Sequence, residues 1–441
     1  MKKDFITVGA IVLISALSLG SIKVYAEDSP LPPMPGFVED DALSNCLEQE
    51  VGATTRTCVA DQDYVYSLSK VIPAGYNITL DLNGHSLTEN PEENSAIVID
   101  FNIVNKGNFK IIDSVGGGSI GADIHNLGKM EIAGGTFSDS ITDDFFDEFT
   151  KETTENYENT ETIISGGSFS KYVDLHTPAT INNGTFNAAL SLSGYNNIRH
   201  IINGGKFNGV VFLSSYENKN IQYTINGGIF NLRSFIGHSL GGDINVEING
   251  GEFNGKVDAS ANTLTSELII NKGNFNNGIV VDFGKMRIND GNFVNKTTPS
   301  DDVVQSPTES IIFQLNNDTL SKHDYKITGG NFTNASDSGD ILMSFMDEDF
   351  VSEEALKNIF ENNPILDNIK FEHGPDWDTK YTYVKKKTLG APDTGLFTNA
   401  DSGLSAIRIK TLLAVLSTIT LGIFLVKNRK NIFHKVNFHR R

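Results

Sequence analysis

A six-residue pattern, Ile-x-x-Gly-x-Phe, recurs through the middle of the chain and limits its fold more than any other feature. The copies end at Phe109, Phe137, Phe169, Phe186, Phe207, Phe230, Phe253, Phe275, Phe293 and Phe332. A unit of about 20 residues is too short for paired helices, which need more than about 30, and it matches one coil of a β-solenoid. Each unit contains runs rich in Ile, Val and Phe, such as residues 209–213 and 279–283, separated by Asn and Gly turn signals. The fold class that follows is all-β, a parallel β-helix. The long interval from Phe293 to Phe332 predicts one degenerate copy, giving about eleven or twelve coils and a rod of roughly 55 Å.

Stacked coils explain why particular residue types recur. When each strand pairs with its equivalent one coil away, at about 4.8 Å, a side chain lands on its own copy. Phe then stacks on Phe and Ile on Ile inside the coil. The residue two before each Phe is glycine: Gly107, Gly135, Gly167, Gly184, Gly205, Gly228, Gly251, Gly273, Gly291 and Gly330. That invariance predicts a turn with positive φ, which glycine adopts without a Cβ penalty. Asn182, Asn203, Asn226, Asn249, Asn271 and Asn289 follow the repeat's Ile. They suit either a ladder of side-chain amides along the stack or a row that contacts carbohydrate.

The two ends specify the compartment. Lys2 and Lys3 precede an apolar run from Phe5 to Ile22, and Val24-Tyr25-Ala26 places small residues where a signal peptidase reads. The expectation is cleavage after Ala26, the alternative an uncleaved anchor. Residues 411–426 form an uninterrupted run of apolar and small side chains, about 24 Å if helical, which is sufficient for a thin membrane span. The basic residues behind it, from Lys427 to Arg441, would stay cytoplasmic. The formal charge is −20, and with both basic ends set aside the exported part stands near about −29, which repels nucleic acid. Cys46 and Cys58 are the only cysteines, and in an oxidising location a disulfide closing a short loop is expected, with two free thiols as the other outcome.

From Val71 to His85 the sequence VIPAGYNITLDLNGH resembles the opening segment of pectate-lyase-like right-handed β-helix proteins. With the repeats, the resemblance covers about residues 41–345. It implies a right-handed solenoid with end caps, the first one locked by Cys46 and Cys58. Residues 41–50 read as a short helix, 56–59 as a strand, 352–362 as a helix and 381–384 as a strand. Ala391-Pro392-Asp393-Thr394-Gly395 resembles the L-P-x-T-G pentapeptide of Gram-positive-type cell-wall sorting signals, with Ala391 in place of Leu. That resemblance implies a sortase-like transpeptidase as partner and Thr394 as the wall-linked end. The expected organisation is a signal peptide at 1–26, a Pro-rich linker at 27–40, an N-terminal cap at 41–76, the β-helix at 77–345, a C-terminal cap at 346–388 and an anchor region at 389–441.

The superfamily that this segment resembles includes polysaccharide-cleaving enzymes that use carboxylates with a basic residue, so the resemblance makes such groups candidates. Asp143-Asp144 and Asp301-Asp302 are carboxylate pairs within stretches that read as solvated acidic loops. Arg408-Ile409-Lys410 follows the sorting motif, and Gly237-His238-Ser239 reads as a polar turn. Zinc, metalloprotease, serine-hydrolase and phosphate-loop motifs do not occur in the exported part. The expectation is a surface-displayed, adhesin-like or structural protein that contacts an extracellular glycan or protein, with no catalytic residues, metal or cofactor assigned. A polysaccharide lyase or hydrolase on the same scaffold is the alternative, and calcium-dependent stiffening through the acidic loops is a third possibility.

Overall fold

The computed structural model describes residues 41–48, 53–89, 102–143, 160–194, 197–215, 220–239, 242–294, 311–315, 323–333, 341–345, 369–373 and 381–386. Contacts divide the chain into Met1–Asp40 and Asp41–Arg441, and every described residue belongs to the second unit. The expected signal segment, the expected 411–426 membrane span, the expected sorting motif at residues 391–395 and the expected 352–362 helix lie outside the described residues. Among the described residues no helix is long and apolar enough to cross a membrane.

The chain winds through three sheets in fixed rotation, leaving one strand in each per turn. The first and second sheets have 12 strands each and the third has 14. One turn reads Ile244–Ile248, Glu252–Phe253, Val257–Ser260. Its strands pair in parallel with their counterparts one turn on, Val246 with Leu268, Phe253 with Phe275 and Val257 with Ile279. Side chains alternate along each strand, as in 244–248, where Ile244, Val246 and Ile248 point inward. The interior is one continuous apolar column from Leu43 to Ile327.

Within that column the Phe rings of the repeat form a single file. From Phe137 through Phe169, Phe186, Phe207, Phe230, Phe253, Phe275, Phe293 and Phe332 the ring centroids are 4.5–5.1 Å apart and nearly parallel. In-register parallel pairing at about 4.8 Å makes this arrangement unavoidable once each turn supplies the same residue. The glycine two before each ring takes positive φ from Gly135 to Gly330. At Gly251, where φ is +113°, a Cβ would also sit 3.2 Å from the Phe253 ring, so the glycine serves both the turn and the ring.

Two expectations need correction. The copy at Phe109 is out of phase: Phe109 lies in the first sheet, paired with Ile78 and Met130, while Ile120 occupies the position next to Phe137. Gly107 accordingly lacks positive φ and is glycine for a different reason, since a Cβ there would lie 2.5 Å from the Pro73 carbonyl oxygen. The interval between Phe293 and Phe332 contains no degenerate coil, because Asn292–Val294 pairs directly with Asn331–Thr333. Inserted residues on either side of Ile311–Leu315 account for its length.

Parallel stacking begins at Thr55–Val59, inside the stretch assigned to the N-terminal cap. The helix Ala42–Glu48 precedes it, its first turn held by Asp41, whose Oδ1 accepts the Ser44 N–H at 2.7 Å. Leu43 and Leu47 enter the apolar column, and Cys46 and Cys58 form a disulfide with Cα atoms 5.6 Å apart. Arg56 Nε donates to the Cys46 carbonyl at 2.6 Å. At the other end the third sheet changes direction: Tyr381–Lys386 pairs antiparallel with Ile341–Phe345 and with Ile369–His373.

Candidate functional site

The sheets differ in how regular their exits are. The turns flanking the second sheet repeat almost unchanged from Ile164 to Phe293, whereas the exits of the third sheet vary in length from coil to coil. Binding residues concentrate on variable loops over a rigid scaffold, so the third sheet and its exits are the first place to look for chemistry.

Asp143 sits at one such exit, and it faces inward. Only 1 % of it is exposed. Its carboxylate accepts the His176 N–H and the Thr177 hydroxyl in close contacts, and the Thr177 N–H at 3.2 Å. Burial pushes its pKa up to about 7, opposed by the Thr177 and His176 donors, which favour the anion. Asp143 therefore ties one coil to the next corner. Asp144, Asp301, Asp302, Arg408 and Lys410 lie outside the described residues. Gly237-His238-Ser239 lies in the strand Ser234–Ser239 at a register shift, with Gly237 at positive φ, instead of in a turn.

Beside Asp143 the coils bring together three residues that no sequence motif groups. Ser193 Oγ lies 2.6 Å from His176 Nδ1, and His176 Nε2 lies 3.5 Å from Asp174 Oδ2. Hydroxyl, imidazole and carboxylate in that order are the parts of an acyl-transfer site. Ser193, however, is completely buried, so a substrate carbonyl cannot reach its Oγ. The neighbouring His200 is buried as well: its Nε2 hydrogen-bonds the Ser193 carbonyl at 2.9 Å, which requires the proton on Nε2, and burial lowers its pKa to about 4. Tyr223, stacked on His200 at 5.3 Å, directs its hydroxyl to the Leu192 and Ser214 carbonyls, and Tyr325 donates to Phe283 at 2.7 Å. These inward polar groups satisfy carbonyls left open where the chain leaves the third sheet.

Comparison with protein-family models, curated proteins and solved structures finds no match to the chain.

On the outside, the asparagines after the repeat's Ile form the ladder. Asn203 donates to Asn182 at 2.8 Å, and Asn226, Asn249, Asn271 and Asn289 continue it at 2.7–2.9 Å. A second ladder, which the sequence reading missed, runs through Asn187, Asn208, Asn231, Asn254 and Asn276 at 2.8–3.1 Å. Its signal was present as an Asn after five consecutive repeat Phe residues. The two ladders border the second sheet, whose outward positions between them include Ser168, Thr185, Lys206, Ile229 and Glu252. The outer face of the third sheet has a different character: Phe212 and Phe235 stack at 5.1 Å, Arg233 lies over Phe235 at 4.8 Å, and its guanidinium is ion-paired with Asp258. Among the described residues no cluster of three His, Cys, Asp or Glu side chains could hold a metal ion.

Proposed function

We propose that the protein is a non-enzymatic display protein: a right-handed, pectate-lyase-like β-helix exported from the cell, held at its surface and presenting its outer faces to an extracellular glycan or protein. The observation that carries this reading is that the best acid–base constellation, Ser193 with His176 and Asp174, is built on a fully buried hydroxyl, while the neighbouring Asp143 carboxylate is occupied by the Thr177 hydroxyl and the His176 and Thr177 N–H groups. Two unbroken amide ladders supply regular outer borders to the second sheet without a reactive group. Anchoring follows from the sequence at the C-terminus: a sortase-like transpeptidase would join Thr394 to the wall, and the 411–426 run would hold the chain in the membrane before that step.

Incubating the purified protein with pectin-type and host-type glycans, with retention and new chain ends measured together, tests the reading. Retention without new ends is the expected result. New ends that disappear on mutation of a third-sheet carboxylate such as Asp174 would establish the alternative, a polysaccharide-cleaving enzyme. For the anchor, Thr394→Ala is expected to move the protein from the wall fraction to the membrane fraction.

A further inference from the structure

The chain contains eight Asn-Gly pairs, at Asn83, Asn183, Asn203, Asn208, Asn226, Asn249, Asn254 and Asn277. Asn-Gly is the dipeptide most open to spontaneous deamidation, because a glycine nitrogen without a neighbouring Cβ can approach the asparagine side chain. The reaction needs both partners to move, so hydrogen bonds that hold the amide suppress it.

Seven of the eight amides are held. Asn203, Asn226 and Asn249 each donate to one ladder neighbour and accept from the next, as do Asn208 and Asn254 in the second ladder. Asn277 donates to the Asn254 carbonyl at 2.7 Å. Asn83 donates to the Ala60 carbonyl at 3.0 Å, and its following nitrogen, on Gly84, is bound to Asp113 at 2.8 Å. Asn183 differs. It stands where most units have the first glycine of a Gly-Gly pair, directly after the ladder residue Asn182. It is exposed, and among the described residues neither its side-chain amide nor the Gly184 N–H makes a hydrogen bond.

We propose that Asn183 is a self-modification site, converted to aspartate and isoaspartate while the ladder asparagines are protected. The Gly184 nitrogen attacks Asn183 Cγ, a Cγ–N bond forms, and the Cγ–Nδ2 bond breaks. Nδ2 leaves as ammonia with the proton that Gly184 loses. Water then opens the succinimide at either carbonyl, with no oxidant or reductant involved. The product adds one negative charge to an exposed turn beside the end of the first ladder, a slow covalent mark of the age of each molecule. The inference does not depend on the display reading, since it requires only water and the folded chain.

The test is peptide mapping by mass spectrometry, with isoaspartate detection, during incubation of the full chain in mildly alkaline buffer. Native protein is expected to convert Asn183 at least about tenfold faster than Asn203, Asn226 or Asn249, each of which must first break two hydrogen bonds. In denaturant, where all eight share the same local chemistry, the difference should collapse. Asn183→Gln should remove the fast phase of ammonia release. Native rates equal to those of the ladder residues, an intact Asn183 in a chain that reacts when denatured, or an unchanged fast phase in the Gln variant would each overturn the proposal.

Discussion

Phe230 and Phe253 show what a single residue does in a fold built from copies. Each ring is buried, and each touches the ring above and the ring below, so truncation removes contacts in two directions and opens a cavity that neither neighbour can fill without leaving register. Phe253→Ala is expected to cost about 3–5 kcal/mol, read from the shift in denaturant midpoint. Two buried titrating groups act on stability in opposite senses. Asp143 has a folded pKa near 7 against 3.8 for an ordinary aspartate, so its contribution is complete below the lower value and is lost as pH rises through the higher. His200 has a folded pKa near 4 against 6.5, so its contribution is complete above 6.5 and is lost as pH falls through 4. Between pH 4 and 6.5 the two slopes oppose. Replacing His200 with Gln should leave a stability that declines steadily with rising pH across that window, and Asp143→Asn should leave one that increases. Denaturant midpoints measured from pH 4 to 8 would check both signs.

At the scale of elements, the ladders and the cap divide the work. An internal ladder residue such as Asn226 both donates and accepts, so Asn226→Ala removes two side-chain hydrogen bonds and is expected to cost about 1–3 kcal/mol, while Asn276→Ala, at the end of the second ladder with one ladder bond, to Asn254, should cost less. Paired unfolding curves for the two variants measure the difference. The disulfide spans a sequence separation of 12 and ties the capping helix to the first strand of the first sheet. Cys46→Ser combined with Cys58→Ser should lose about 3 kcal/mol, with faster amide exchange in the first coils than in the middle of the stack. How far sequence alone reached is clear in these same elements. Ile, Gly and Phe at fixed spacing already contained the coil, the positive-φ turn and the ring column, because in a solenoid one-dimensional repetition becomes three-dimensional contact. The phase of the copy at Phe109 was illegible, since VNKGNF matches the pattern while its pairing partners, Ile78 and Met130, do not. The grouping of Asp174, His176 and Ser193 was hidden as well, since it joins adjacent coils whose spacing is set by turn lengths that vary along the chain.

For the whole molecule, one register governs the stack: each repeat from Phe137 to Phe332 lies directly on the next, in parallel, around three sheets. Outward positions report that register without disturbing the core. Lys206 pairs with Ile229, and Ile229 with Glu252, on the second sheet. Neighbouring Cα atoms there lie about 4.8 Å apart, within disulfide reach, whereas Lys206 and Glu252 are two coils apart, at about 10 Å. The decisive measurement is disulfide formation in three double-cysteine variants, at positions 206 and 229, 229 and 252, and 206 and 252, scored by mass spectrometry under mild oxidation. The stacked register predicts intramolecular bonds in the first two and none in the third. A third variant that closes as readily as the others, or first and second variants that stay reduced, would contradict it.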